Sequence, residues 1–156
     1  MITVAFKLDG IYRSLLKAKS IVDGEQKDKL LRTLATSLAP DIRHRIHVEG
    51  KKADGSDIGE YSNAYLKKRI KKGRLEGKRK VLSFTRQMEN DLFLLDNKDP
   101  IKTTEGYGLG FKNSLNSDKA KWNDPNGEIF KASEEDKKKA VDIALAFVKN
   151  LFNAPS

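Results

Sequence analysis

His44 and His47 stand three residues apart, alternating with Arg43 and Arg45. Two imidazoles at that spacing on a helix are the beginning of a metal site. No third ligand follows nearby, and the two arginines repel a cation, so the stretch reads as a polar helix face. Asp54-Gly55-Ser56-Asp57 has the look of a calcium loop, but the further oxygen ligands and the closing glutamate of an EF-hand are missing. Gly106, Gly108 and Gly110 lack the spacing of a dinucleotide-binding turn and do not open a helix. They read as strand glycines that permit close backbone approach. Serine, histidine and aspartate all occur, yet no nucleophile elbow does. The acidic run at Glu134, Glu135 and Asp136 sits where a helix N-terminus favours negative charge. The expectation is a chain without catalytic residues, metal or cofactor: not an enzyme.

The remaining chemistry is charge. The net charge is +9, and residues 67–80, KKRIKKGRLEGKRK, hold nine Lys/Arg and one Glu. Nearly all the excess therefore lies in one segment, able to attract phosphates, a membrane surface or an acidic protein face, or to stand as a solvated loop that keeps the surface from sticking to itself. Lys71, Lys72, Lys78, Arg79 and Lys80 are the candidate phosphate contacts. Such contacts give salt-dependent affinity without sequence preference. Aromatics for base stacking are sparse, with Tyr61 and Tyr65 the nearest, and no helix-turn-helix, zinc-finger or RNA-recognition signature appears. Asp54, Gly55, Tyr61, Tyr65, Lys68, Arg69 and Arg74 are the candidate partner-binding residues, in the loop 50–61 and the basic segment.

The elements that position these residues follow from hydrophobic period and punctuation. Residues 2–8 read as a short strand or arm before Asp9-Gly10, with a short helix over 11–20. Residues 25–47 read as the longest helix, because Leu30, Leu34, Leu38, Ile42 and Ile46 recur every four residues. That register runs across Pro40, which fits either a kinked helix or a second helix opened by the proline. Residues 48–61 read as loop, 62–72 as a helix capped by Ser62, and 73–80 as a second loop. Residues 85–89 suggest a helical turn, and 91–95 a strand that joins two strand segments within 100–112 in an antiparallel meander. Residues 113–127 read as polar loop with a helical turn near Asp118–Trp122. Residues 133–152 read as a helix opened by Ser133 and Asp136, with an apolar face of Ala140, Val141, Ala144, Leu145, Val148 and Leu151.

The chain has 156 residues, close to one domain, with 38% hydrophobic and 34% charged residues. That balance implies a thin core with surface left for contacts. The absence of cysteine excludes disulfides, zinc ribbons, iron–sulfur clusters and thiol catalysis. Neither a signal peptide nor a membrane span is expected, which points to a soluble protein made in the cytoplasm with no membrane partner.

The order of these features resembles the tailed-bacteriophage virion morphogenesis family, of the tail-completion and head–tail joining type. A long helix ends in the arginine-rich APDIRHRI (39–46). DGSDIGEYSNAYLKKR (54–69) supplies an Asp-Gly loop, a Tyr-Ser pair and a basic helix. Thr85-Arg86-Gln87-Met88 stands where relatives read Thr-Gly-x-Met or Thr-Gly-x-Leu, with Arg86 in the glycine's place. GYGLGF (106–111) and DKAKWNDPNGEIFKASEED (118–136) follow in order. No single motif is specific; their order across residues 25–135 carries the likeness, and residues 1–24 add nothing to it.

The resemblance implies a structural virion component at the neck: a homo-oligomeric ring, hexameric or dodecameric, that joins head-completion or connector proteins to the tail tube or terminator. Its surroundings would be the virion, with passing DNA as a further neighbour. Loops 49–61 and 73–84 would order on contact with neighbours. The fold expected from all this is one α+β domain: 1–24 an arm and short helix, 25–152 the core, 153–156 a tail. A small antiparallel sheet would pack against a long kinked helix and a C-terminal helix, with long polar loops. The alternative reading is a stand-alone, non-specific nucleic-acid-binding protein using residues 67–80.

Overall fold

The structure, a computed structural model, describes residues 4–5, 24–74, 77–83, 85–92, 101–103 and 106–153. Helix α1 runs Gly24–His44 and widens into a π-helical turn, Arg45–Glu49. Helices α2 (Asn63–Lys71), α3 (Gln87–Leu92), α4 (Ser114–Asn123) and α5 (Glu134–Asn153) follow. Strands β1 (Val4–Ala5), β2 (Ile101–Thr103) and β3 (Gly106–Leu109) hold two, three and four residues. They pair antiparallel in the order β1-β3-β2, with Val4 opposite Leu109 and Ile101 opposite Gly108.

This overturns the α+β expectation, since the chain is mostly helical. The paired strand segments are a clip between distant parts of the chain, too short to form a layer. Two misread stretches account for the difference. Asp91 and Leu92, expected in a strand, end α3, and both are buried; residues 93–95 lie outside the described residues. The stretch expected as polar loop with one helical turn is the ten-residue α4. Its inner face is Asn116, Ser117 and Ala120, so it carries no apolar stripe for a periodicity argument to find. A polar cluster holds it instead. Asp91 accepts hydrogen bonds from the Asn113 backbone N–H at 3.1 Å and from Asn116 Nδ2 at 3.1 Å. The helix expected over 11–20 lies outside the described residues.

Helix α1 passes through Pro40 as one helix rather than two. Pro40 is exposed, so the carbonyl it leaves without an N–H partner faces water. Leu34, Leu38, Ala39, Ile42 and Ile46 are all buried on either side of it. The wide turn at the end of α1 brings the consecutive residues Ile46 and His47 inside. Gly50 closes it in the left-handed conformation, φ 65°. A Cβ at Gly50 would collide with the Lys80 carbonyl oxygen, so the turn packs directly on residues 80–81.

Helix α5 packs on α1 through its small residues Ala140 and Ala144, with Ile143 and Phe147 beside them and Lys139 paired to Asp41. Its N-terminus is a reciprocal capping box built with aspartate. The Ser133 N–H donates to Asp136 Oδ2 at 2.7 Å, and the Asp136 N–H donates to Ser133 Oγ at 3.1 Å. The apolar face is narrower than its sequence suggests: Val141 and Leu145 are exposed. The core is completed by Leu82, Leu92, Leu109, Phe111, Ala120, Ile129 and Phe130, with Phe111 and Phe130 edge-to-face at 5.6 Å.

The loop 49–61 has its own hydrogen bonds. Lys51 bridges Asp57, the Ile58 N–H donates to the Gly50 carbonyl at 2.8 Å, and the Ala53 N–H donates to the Glu128 carbonyl at 3.0 Å. Lys52 reaches Glu128 Oε2 at 2.8 Å. Among the described residues no helix is long and apolar enough to cross a membrane.

Candidate partner-binding site

Helix α2 carries four of the predicted contact residues, Tyr65, Lys68, Arg69 and Lys71. Ser62 caps it, its Oγ accepting from the Tyr65 N–H at 3.3 Å. The helix turns two kinds of residue in opposite directions. Lys67, Lys68, Lys71 and Lys72 are exposed. Arg69 is driven inward to 1% exposure, its guanidinium 4.4 Å from the centre of the Tyr61 ring and its Nη2 donating to the Ser83 carbonyl at 2.8 Å. The Tyr61 ring is itself buried, its hydroxyl donating to the Val81 carbonyl at 2.5 Å and accepting from the Val81 N–H at 3.1 Å. Tyr65 leans on Tyr61 at 5.4 Å and keeps 38% of its surface exposed. Stacking a guanidinium on an aromatic face satisfies a cation that has left water.

This Tyr-Tyr-Arg stack borders a cavity of about 570 Å³, lined by Tyr61, Tyr65, Arg69, Ser83, Arg86 and Lys119 among others. Lys119 is held at its edge by Gln87 Oε1 at 3.3 Å and Asn116 Oδ1 at 3.2 Å. A second cavity of about 380 Å³ lies against the π turn, lined by His47, Arg74, Arg79, Arg86 and Glu89 among others. Val81, Ser83 and Arg86 line both.

The structure thus divides the predicted residues. Tyr61 and Arg69 are interior, so they shape the surface from beneath instead of offering it to a partner. Tyr65 and Lys68 are on the outside, and Arg74 and Lys80 are half-buried at the rims of the second and first cavities. Lys71, Lys72, Lys78 and Arg79 are exposed. Asp54 and Gly55 sit at the tip of their own turn, outside both cavities. There Asp54 Oδ1 accepts from the Ser56 hydroxyl at 2.6 Å and from its N–H at 2.9 Å. Those bonds hold the Asp54 carboxyl below the usual range.

The histidines part company. His44 is exposed and 3.4 Å from Glu49. His47 is 4% exposed, with Nδ1 2.8 Å from the Leu82 carbonyl. A carbonyl only accepts, so Nδ1 carries the proton and Nε2 is left as an acceptor. Burial pushes the His47 pKa down, against the pull of the Leu82 carbonyl and Glu89. Glu89 lies the other way. Burial raises its carboxyl, but the Ser83 hydroxyl at 3.0 Å and the Arg43 guanidinium at 3.2 Å outweigh that and hold it low.

Two contributors were not singled out by residue type. Arg86 lies in the left-handed conformation, φ 59°, the one non-glycine described residue with positive φ. That geometry suits a glycine, and the arginine there lines both cavities. Arg45, read as part of a polar face, is a half-buried clamp. Its guanidinium donates to the Ile129 carbonyl at 3.2 Å and to the Lys131 carbonyl at 2.7 Å, with Asp136 at 3.8 Å. Comparison with family models, with curated proteins and with solved structures found no match.

Proposed function

We propose that this chain is a structural assembly protein of the tailed-phage neck, an adaptor ring that joins the portal-side connector to the tail. The observation that carries the reading is the order of segments from residue 39 to residue 136. The surface fits a part that gains burial from neighbours. Trp122 is 77% exposed, Leu115 63% and Phe152 62%, large apolar groups that a lone domain gains by covering. Leu115 and Trp122 stand seven apart on α4, hence on one helix face. The partners are further copies of the chain, head-completion or connector proteins, and tail tube or terminator proteins, with DNA passing through. Such a ring is a head-to-tail assembly closed by rotation.

Quantitative mass spectrometry of purified particles from the element that encodes the chain tests this. The expected result is a low, ring-like copy number relative to the capsid protein. Absence from finished particles refutes it.

A second reading, a stand-alone non-specific nucleic-acid binder, is favoured by the exposed row of Lys67, Lys68 and Lys71 on α2 with Lys72 at its C-terminal end. It requires the isolated chain to bind duplex DNA with affinity that falls steeply as salt rises, and requires a Lys68→Glu, Lys72→Glu variant to flatten that dependence.

A further inference from the structure

Helix α5 carries a second apolar stripe, apart from the one that faces the core. Ala140, Ala144, Ile143 and Phe147 belong to the core. Val141, Leu145, Val148 and Phe152 turn elsewhere: Val141, Leu145 and Phe152 are exposed, and Val148 is half-buried. Leu145 alone keeps 52% of its surface. The steps between these residues are 4, 3 and 4. That alternation lets one helix seat its side chains between those of another along a shared seam. Unmet charge flanks the seam. Asp142 and Lys149 lie along one edge of it, seven residues apart and both exposed. Neither has an ion-pair partner among the described residues. Their opposite signs at a heptad spacing make the edge complementary to itself when it is reversed.

We infer that this stripe is a docking surface for a second copy of the chain, the two α5 helices lying antiparallel about a two-fold axis. Laid that way, Val141 faces Phe152 of the second copy and Leu145 faces its Val148, and symmetry repeats both layers. Asp142 then lies beside Lys149 of the second copy, and Lys149 beside its Asp142, so both charges are met at once. A parallel pair fails on the same helix. It stacks Lys138, the exposed residue that continues the stripe toward the N-terminus, on Lys138 of the second copy. It also brings Asp142 to Lys137, which Glu134 already engages at 2.5 Å, and leaves Lys149 facing no acid. In the antiparallel layers Lys138 lies past Asn153 of the second copy, the last residue of α5. The seam is short, four layers over about 17 Å. So small a contact makes a reversible dimer, with a Kd on the order of 10 µM. A two-fold contact uses the same patch on both copies, whereas the ring of the neck reading closes head to tail. The inference therefore goes beyond that reading and stands apart from it.

Sedimentation velocity of the full chain, from about 1 to about 300 µM, tests this. A dimer should form as concentration rises. Leu145→Gln should weaken it about tenfold or more. Asp142→Lys should weaken it roughly tenfold, because symmetry turns two attractive pairs into two repulsive ones, and Lys149→Asp should do the same. Asp142→Lys combined with Lys149→Asp restores both pairs and should bring the affinity back to within about threefold of the parent. All these positions are exposed, so the circular dichroism of every variant should match the parent. A chain that stays monomeric across the range overturns the inference, whichever segment or other protein covers the stripe. A double variant as weak as the single ones overturns it too, since only a reversed copy is repaired by the swap. Rings that form equally well in all these variants, with no dimer, overturn it while leaving the neck reading intact.

Discussion

Replacing Asp124 with alanine should destabilise the protein more than almost any other change to a polar residue. Asp124 follows α4, and its carboxylate collects three backbone donors. Oδ1 accepts from the Glu128 N–H at 2.6 Å, and Oδ2 accepts from the Ile129 and Phe130 N–H groups at 2.9 Å each. Ile129 and Phe130 are 3% and 4% exposed, so water cannot replace those two bonds without dragging the segment out of the core. Leaving a buried donor unmet costs about 1–3 kcal/mol, which gives about 4 kcal/mol for the pair. In a domain of this size about 1 kcal/mol lowers Tm by roughly 2–4 °C. The expected fall is therefore roughly 8–16 °C, read by differential scanning calorimetry. Asp124→Asn keeps one oxygen and should fall about half as far. The same segment supplies the carbonyls that hold Arg45 and Ala53, so Asp124→Ala should also loosen the loop 49–61, seen as faster amide exchange at Ala53. A Tm within about 2 °C of the parent would refute the claim that these bonds anchor the segment.

Three further perturbations follow from the same contacts. Acidification should weaken the fold below about pH 6.5, by up to about 1.4 kcal/mol per pH unit. His47 is held neutral in the folded chain, so below its ordinary pKa the unfolded chain binds the extra proton; denaturant midpoints across pH 7.5 to 5 measure this, and His47→Asn should remove that part of the slope. Glu89, held below its ordinary value, contributes stability that is lost only at lower pH, as its folded-state pKa is approached. Gly50→Ala should cost about 2 kcal/mol or more, combining left-handed strain with the collision against Lys80, and denaturant unfolding would show it. Arg86→Gly should raise stability by up to about 1 kcal/mol by relieving φ 59°; a destabilised glycine variant would mean the Arg86 side chain holds the fold itself.

The helices with an apolar period were legible. The four-residue recurrence from Leu30 to Ile46 marks α1, and Ser133 with Asp136 marks the start of α5, because stripes and caps are local features. What failed depends on partners distant in sequence. Helix α4 is held by Asp91 through Asn116, 25 residues apart, a polar contact with no periodic signature. The apolar run after Glu89 fits helix and strand equally by pattern, and its described residues Asp91 and Leu92 end a helix held by contacts distant in sequence.

The site divides along the same line. The sequence by itself determined that the cations concentrate in residues 67–80 and that Ser62 starts a basic helix. Charge, caps and residue identity are properties of the chain read in order. Only the tertiary structure decided that Arg69 turns inward onto Tyr61 while its lysine neighbours face solvent. It alone placed His47 against a cavity with Arg79 and Arg86, residues 32 and 39 positions away. Inward or outward is settled by which long-range partner meets the desolvation cost of a charge or an imidazole, and that partner is chosen only when the chain is packed.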